Sequence, residues 1–355
     1  MAFAGTEIGE RMERPDNRDK PSSKRGFLSV LPLVLQDLLL AGLFLSVFAL
    51  FHHVLPRTEL FSAKPDGEPA ATAQLLPTAA PAEAESAGKR SDWQVKFAAH
   101  FTDSVVSTEN SYTSPTVSIT LTTCRQELDG YPQVWYVADI YIARIENFQT
   151  YVENDSYDHF IQTPADELAQ MCGALIGING DYCNAQVQEG FYVRNGVLYQ
   201  RGQTLCDICV LYRDGTMQTY AHDEYKVDDV LARDPYQVWK FGPALLDGDG
   251  QPLTEFNTPA EIAIGNPRSG VGYYEPGHYC FVTVDGRQDG WSRGLTIEQF
   301  ARLFSELGCK AAYNLDGGAS VTMTFMGALY NRQSSERELG DILLIKELPE
   351  AGVQP

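Results

Sequence analysis

The chain has 355 residues, 44% of them hydrophobic, enough for one large domain or two average ones with a sizeable core. Its formal net charge is −20 at a pI near 4.6, and from Ser91 onward 36 Asp plus Glu face 17 Lys plus Arg. A field of that sign repels DNA, RNA and anionic lipid, which argues against nucleic acid as a partner; an anionic substrate needs local arginines to offset the repulsion.

Residues 1–26 are polar and carry six basic side chains, with Lys24 and Arg25 directly before an apolar run from Phe27 to Leu50. At about 1.5 Å per residue, a run of that length spans a bilayer. Pro32, Gln36 and Asp37 interrupt it, and the Leu and Phe content offsets the cost of one carboxylate on insertion. The flanking Lys24 and Arg25 orient the N-terminus to the cytoplasm, so residues 27–55 are expected to form a transmembrane signal anchor with the rest of the chain outside. A cleaved signal is the alternative. Residues 56–91 are rich in Ala, Pro and Glu and lack periodicity, which predicts an extended linker. The folded domain is then 92–355.

Within it, Val134–Ile145 is β-branched and aromatic and reads as a strand. Thr163 is expected to cap a short helix with Pro164 at its first position, Asp166 in its first turn and Gly173 after its end. Ala174–Asn179 is a short apolar run suited to a buried strand, closing on Gly180 and Asp181. His278–Val284 reads as another strand. Thr296 and Gln299 form a capping box ahead of Ile297, Phe300, Ala301, Phe304 and Leu307 on one helical face, and Gly308 stops that helix. Lys310–Leu315 follows as a strand. The order strand, helix, strand predicts parallel strands with a right-handed crossover, their carboxyl ends at one sheet edge, where open sheets bind ligands. The fold class is α+β: a mixed β-sheet core with βαβ units flanked by helices, preceded by one transmembrane helix. The segments Gly173–Asp181 and Cys309–Gly318 share a weak repeat.

Seven cysteines (Cys124, Cys172, Cys183, Cys206, Cys209, Cys280 and Cys309) leave at least one unpaired in a monomer. Cys206 and Cys209 form a C-x-x-C with no second pair and no spaced histidines after it, a poor zinc pattern. One or two disulfides outside the cell and plain buried thiols both fit.

Four segments put polar residues beside glycine: Ile178–Tyr182, Asn266–Gly272, Val284–Arg287 and Asn314–Ser320. Glycine lets a ligand approach the backbone closely, and Asn or Asp after an apolar strand places a short hydrogen-bonding group at the sheet edge. Taken singly, an Asn-Gly or Asp-Gly pair is a turn. Taken together, the four supply carboxylates, amides and guanidiniums to one site.

That set resembles the phosphodiester glycosidase family, over roughly Tyr136 to Lys346. Asn314–Met323, N-L-D-G-G-A-S-V-T-M, is similar to the family's N-L-D-G-G-G-S-S-T-M. Val284–Arg287, Gly294–Ala301, Phe241–Gly248, Pro267–Gly272 and Ser335–Ile345 resemble further family segments in the right order. The family's N-G-G-F-F is here N-G-D-Y-C, Asn179 to Cys183, Ser269-Gly270 replaces Thr-Ala, and Ala319 replaces a glycine. The resemblance implies an extracytoplasmic hydrolase cleaving the sugar–phosphate bond of a sugar-1-phosphodiester, without cofactor, on a phosphorylated glycan or envelope polymer. Such a site has to hold a phosphate and stabilise an oxocarbenium-like carbon. The catalytic candidates are Asp316 first, then Asp181, with Glu336 as a second acid/base. Arg268, Arg337 and Arg287 are candidates for the phosphate, Asn179 and Asn314 for sugar hydroxyls, and Asp285, Gly317, Gly318 and Ser320 for the remaining wall. The alternatives are a tethered glycan-binding module without chemistry and a metal-dependent hydrolase using Asp181, Asp285 and Asp316.

Overall fold

A computed structural model describes residues 74–75, 90–152, 162–181 and 190–348. The proposed anchor, the N-terminal tail and most of the linker lie outside these residues.

Strands dominate, in three sheets. The central one has seven strands in the order Ala311–Asn314, Arg268–Glu275, His278–Val284, Tyr131–Ile142, Val117–Leu128, Ser111–Thr113 and Val106–Ser107. A five-stranded sheet runs Ala328–Leu329, Met323–Phe325, Ile176–Asn179, Asp341–Ile345, Phe148–Val152. A six-stranded sheet centres on Tyr192–Arg194, Pro235–Lys240 and Ile208–Tyr212. One apolar core joins all three, with Phe148, Trp239, Tyr279, Phe281, Tyr313 and Leu343 at its middle, each fully buried. A second cluster packs the helix Ile297–Glu306 on the other face of the central sheet, through Ile297, Phe300, Ala301 and Phe304.

Local signals held where they rested on backbone chemistry. The Thr296 hydroxyl accepts from Gln299 N–H and the Gln299 side chain returns the bond, as a capping box requires. His278–Val284 is a strand over its whole predicted length. Gly173 ends the helix Ala165–Cys172 at φ 68°. Thr163 does not cap that helix. It bridges Leu339 as β structure, and Pro164 takes the cap position with no side-chain bond.

The expected mixed sheet with adjacent parallel strands is corrected. Every pairing among the described strands is antiparallel. His278–Val284 and Ala311–Asn314 do run in the same direction, joined by the predicted helix, but Arg268–Glu275 lies between them and pairs with both. The unit is a split βαβ. Glycine explains how that inserted strand fits. A Cβ at Gly270 would stand 2.8 Å from the Tyr313 carbonyl and 3.0 Å from the Phe300 ring, so strand and helix meet there because no side chain intervenes. At Gly272 a Cβ would meet the sulfurs of Cys280 and Cys309, which lie 3.6 Å apart as buried thiols. All six described cysteines are free.

The common direction of the two strands has the consequence anticipated from sequence. It brings the loops after Val284 and after Asn314 to one edge, where the start of the Arg268 strand also lies.

Candidate functional site

Asn179 and Asn314 end two strands in different sheets, and each turns its amide onto the carbonyl of the next residue, Gly180 at 3.2 Å and Leu315 at 3.0 Å. The repeat seen in the sequence is therefore a repeated local conformation. Asn179 goes further. Its amide donates to the Asp316 carbonyl at 2.8 Å, and Asp316 N–H donates to the Gly180 carbonyl at 3.3 Å. The two loops are stitched together, with Asp316 at the seam.

Two cavities meet there. The larger, about 240 Å³, is lined by Arg268, Arg287, Arg337, Asn314, Asp316 and the Gly317–Gly318 backbone, with Asn266, Phe241 and Glu261. The smaller is lined by Asn179, Gly180, Asp316, Ser320, Arg337, Asp341, Gln162 and Glu338. Asp316 and Arg337 belong to both. Nine of the twelve residues singled out from the sequence thus share one location.

The larger cavity gathers three arginines into its wall. Arg268 is 2% exposed and satisfies its hydrogen bonds on the carbonyls of Leu295, Ile262 and Ile264, which leave its charge uncompensated. Burial, and then the charge of Arg287, lower its pKa to about 10. Arg287 is held by Asn266 Oδ1 at 2.9 and 3.2 Å. Its backbone has φ 58°, uncommon for a residue with a side chain, and a Cβ on Gly318 would lie 3.1 Å from both of its terminal nitrogens. Neither arginine forms an ion pair among the described residues. Asn314 contributes a buried Oδ1 with no partner there. Two guanidiniums held close together, neither in an ion pair among the described residues, suit an anion with several oxygens.

Asp316 is half-buried. Desolvation raises its pKa; the Ser320 hydroxyl, the Arg337 charge and the Gly317 N–H pull it back, while Asp181 adds to the rise.

Three candidates stand elsewhere. Asp181 has a fully buried side chain, gripped by Arg194 at 2.7 and 2.9 Å and by the Lys240 N–H at 2.7 Å; it lines neither cavity. Its neighbour Asp341 faces the smaller cavity and is held well above the ordinary carboxyl range, by burial and then by Asp181. Asp285 is spent on structure, accepting from Tyr136 at 3.0 Å, Trp291 at 2.7 Å and Asn331 at 3.2 Å. Glu336 is exposed and lines neither cavity; Glu338, two residues on, lines the smaller one. Asp181, Asp285 and Asp316 form no metal-ligand group among the described residues. The residues missed from sequence are Gln162, Phe241, Glu261, Asn266, Glu338 and Asp341. Asn266 carried a signal as the first residue of its polar-glycine segment, and Phe241, Glu338 and Asp341 lie in segments that resemble the family; Gln162 and Glu261 carried none.

Residues 172–346 match the phosphodiester glycosidase family model, and every cavity-lining residue named above except Gln162 falls within that span. The chain carries a phosphodiester glycosidase domain.

The chain's fold is similar to the catalytic domain of zebrafish N-acetylglucosamine-1-phosphodiester alpha-N-acetylglucosaminidase, solved as a form auto-inhibited by its pro-peptide. The TM-score is 0.56 at 19% identity, over 66% of this chain and 85% of that one. In sequence the chain is 33% identical over 187 residues to an uncharacterized SPbeta prophage-derived protein of Bacillus subtilis, YomE. The match takes in 50% of this chain and 29% of that relative's length.

Proposed function

We propose that the chain hydrolyses the bond between the anomeric carbon of a sugar and a phosphodiester, on a phosphorylated glycan or cell-envelope polymer outside the cytoplasm. One observation carries the reading: Asp316 is the shared wall of an arginine-lined cavity and a cavity lined by amide, hydroxyl and carboxyl groups. A sugar-1-phosphodiester has those two halves, and the bond between them falls beside Asp316.

On this reading Arg268 and Arg287 hold the phosphate oxygens, and Arg337 reaches the seam. Asn179, Ser320 and Gln162 face the sugar hydroxyls. The departing phosphomonoester is a weak base, so its release needs little help from a general acid. The developing positive charge at the anomeric carbon is what needs a partner, and the Asp316 carboxylate supplies it or takes a proton from the attacking water. Water gives its hydroxyl to the sugar, and the phosphomonoester leaves with the electron pair of the broken C–O bond.

The tether in this proposal rests on the run Phe27–Leu50 with Lys24 and Arg25 before it. Protease treatment of intact cells tests it: the domain should be digested, and protection of the domain would reverse the assigned side.

The chemistry is tested by incubating the purified full chain with synthetic sugar-1-phosphodiesters. Free sugar with a phosphomonoester is the expected product pair. Release of a sugar phosphate would move the cleavage to the phosphorus–oxygen bond on the other side and overturn the assignment.

A further inference from the structure

The loop that carries Arg287 into the wall of the larger cavity has a second face. Arg287 N–H bonds the Arg293 carbonyl, Gln288 pairs with Ser292, and the turn between them carries Gly290 and Trp291. The Trp291 indole is fixed from within by Asp285 at 2.7 Å and remains half-buried. Two exposed guanidiniums lie against it, Arg125 at 4.4 Å and Arg332 at 5.2 Å from the ring centroid. A third, Arg293, lies 4.0 Å over Tyr131, which is 46% exposed. Gln288 ties the Arg332 backbone to this loop at 2.9 Å. Beside Trp291 is a groove of about 340 Å³ whose wall includes Arg125, Gln126, Glu127, Gln133 and Gly290.

In a chain of charge −20, several exposed or part-exposed arginines find carboxylates: Arg201 with Asp228, Arg213 with Asp234, Arg302 with Glu298. Arg125, Arg293 and Arg332 do not, among the described residues, although Glu127 and Asp289 are close in sequence to two of them. Stacking on an aromatic ring holds a guanidinium by its face and leaves its N–H edges outward, the edges that bind phosphate or carboxylate.

We propose that this groove, together with the guanidiniums set on Trp291 and Tyr131 around it, is a second subsite, which holds an anionic repeat of a polymer whose scissile unit lies at Asp316. The substrate class is then a phosphate-bearing polymer and not a small diester. The proposal builds on the reaction assigned above, and its test separates the two. The full chain is titrated with poly(glycerol phosphate), with neutral dextran as control, following Trp fluorescence and calorimetry at low and high salt. The wild-type chain should bind the anionic polymer, and more weakly as salt rises. The double variant Arg125→Glu, Arg332→Glu should bind it about tenfold or more weakly, since each loses a charge-assisted contact and gains a repulsion. Its hydrolysis of a small sugar-1-phosphodiester should stay unchanged, and circular dichroism should confirm the fold. Equal polymer binding by both proteins, no binding by the wild type, or an equal fall in small-diester hydrolysis would overturn the subsite. Failure of both proteins to cleave any diester would strike the reaction instead, while the binding difference still decides the groove.

Discussion

Asp181 and Asp316 both follow a short buried strand, an Asn at its end and one further residue, yet they end in opposite surroundings. Asp181 is closed in by Arg194 and Lys240 with its charge matched. Asp316 opens onto two cavities, in one of which stand Arg268 and Arg287, neither of them in an ion pair among the described residues. The first arrangement is part of the fold, costly to break on one side; a buried ion pair whose oxygens are engaged has nothing left to offer a ligand. The second leaves charge uncompensated, which costs stability and is what a substrate would neutralise.

Substitutions can break that comparison, and the largest effect should come at Asp316. Asp316→Asn should lower turnover of a sugar-1-phosphodiester by about a thousandfold, within the range found when a transition-state charge partner is removed. Its melting temperature should stay close to wild type, because burial already penalises the charged form. Full activity in this variant would end the assignment.

Arg194→Met should do the reverse. Leaving Asp181 buried without its partner should cost about 3–5 kcal/mol of stability, read from the denaturation midpoint. A stable protein with selectively lost turnover would show that Asp181 belongs to the chemistry after all.

Arg287→Ala comes next, with an expected loss of about 1.5–3 kcal/mol in kcat/KM from one charged hydrogen-bonding group. The loss should shrink for a substrate analogue without the phosphate charge.

The neighbour Asp341 sharpens the comparison through pH. Its folded pKa lies well above the ordinary value of 3.8, so between the two values the folded state binds more protons than the unfolded one. Stability should therefore fall as pH rises from about 4 towards neutrality, and Asp341→Asn should flatten that slope. Parallel pH curves for the two proteins would remove the proton from this site. Smallest of all, Glu336→Gln should change neither activity nor stability by more than about 0.5 kcal/mol, as for an ordinary surface position.

Much of this was legible before any coordinates. The Thr296 capping box, the strand His278–Val284 and the stop at Gly173 are set by neighbours a few residues away, and so they could be read directly. The inserted strand Arg268–Glu275 could not, because its partners lie before and after the helix in sequence and only Gly270 and Gly272 hinted at close packing. Asp285 looked like a ligand residue because it ends a strand beside glycine. Tyr136, Trp291 and Asn331 claim it, and their distances in sequence gave no warning.

By itself the order of residues determined which segments end in Asn, Asp, Arg and Gly and that two strands joined by one helix run the same way. That follows from local backbone preference and from the handedness of the crossover. Tertiary structure alone decided which charges were neutralised. Asp181 met Arg194, while Arg268 met carbonyls and Arg287 an amide, and the free energy of a charge depends on what surrounds it in space.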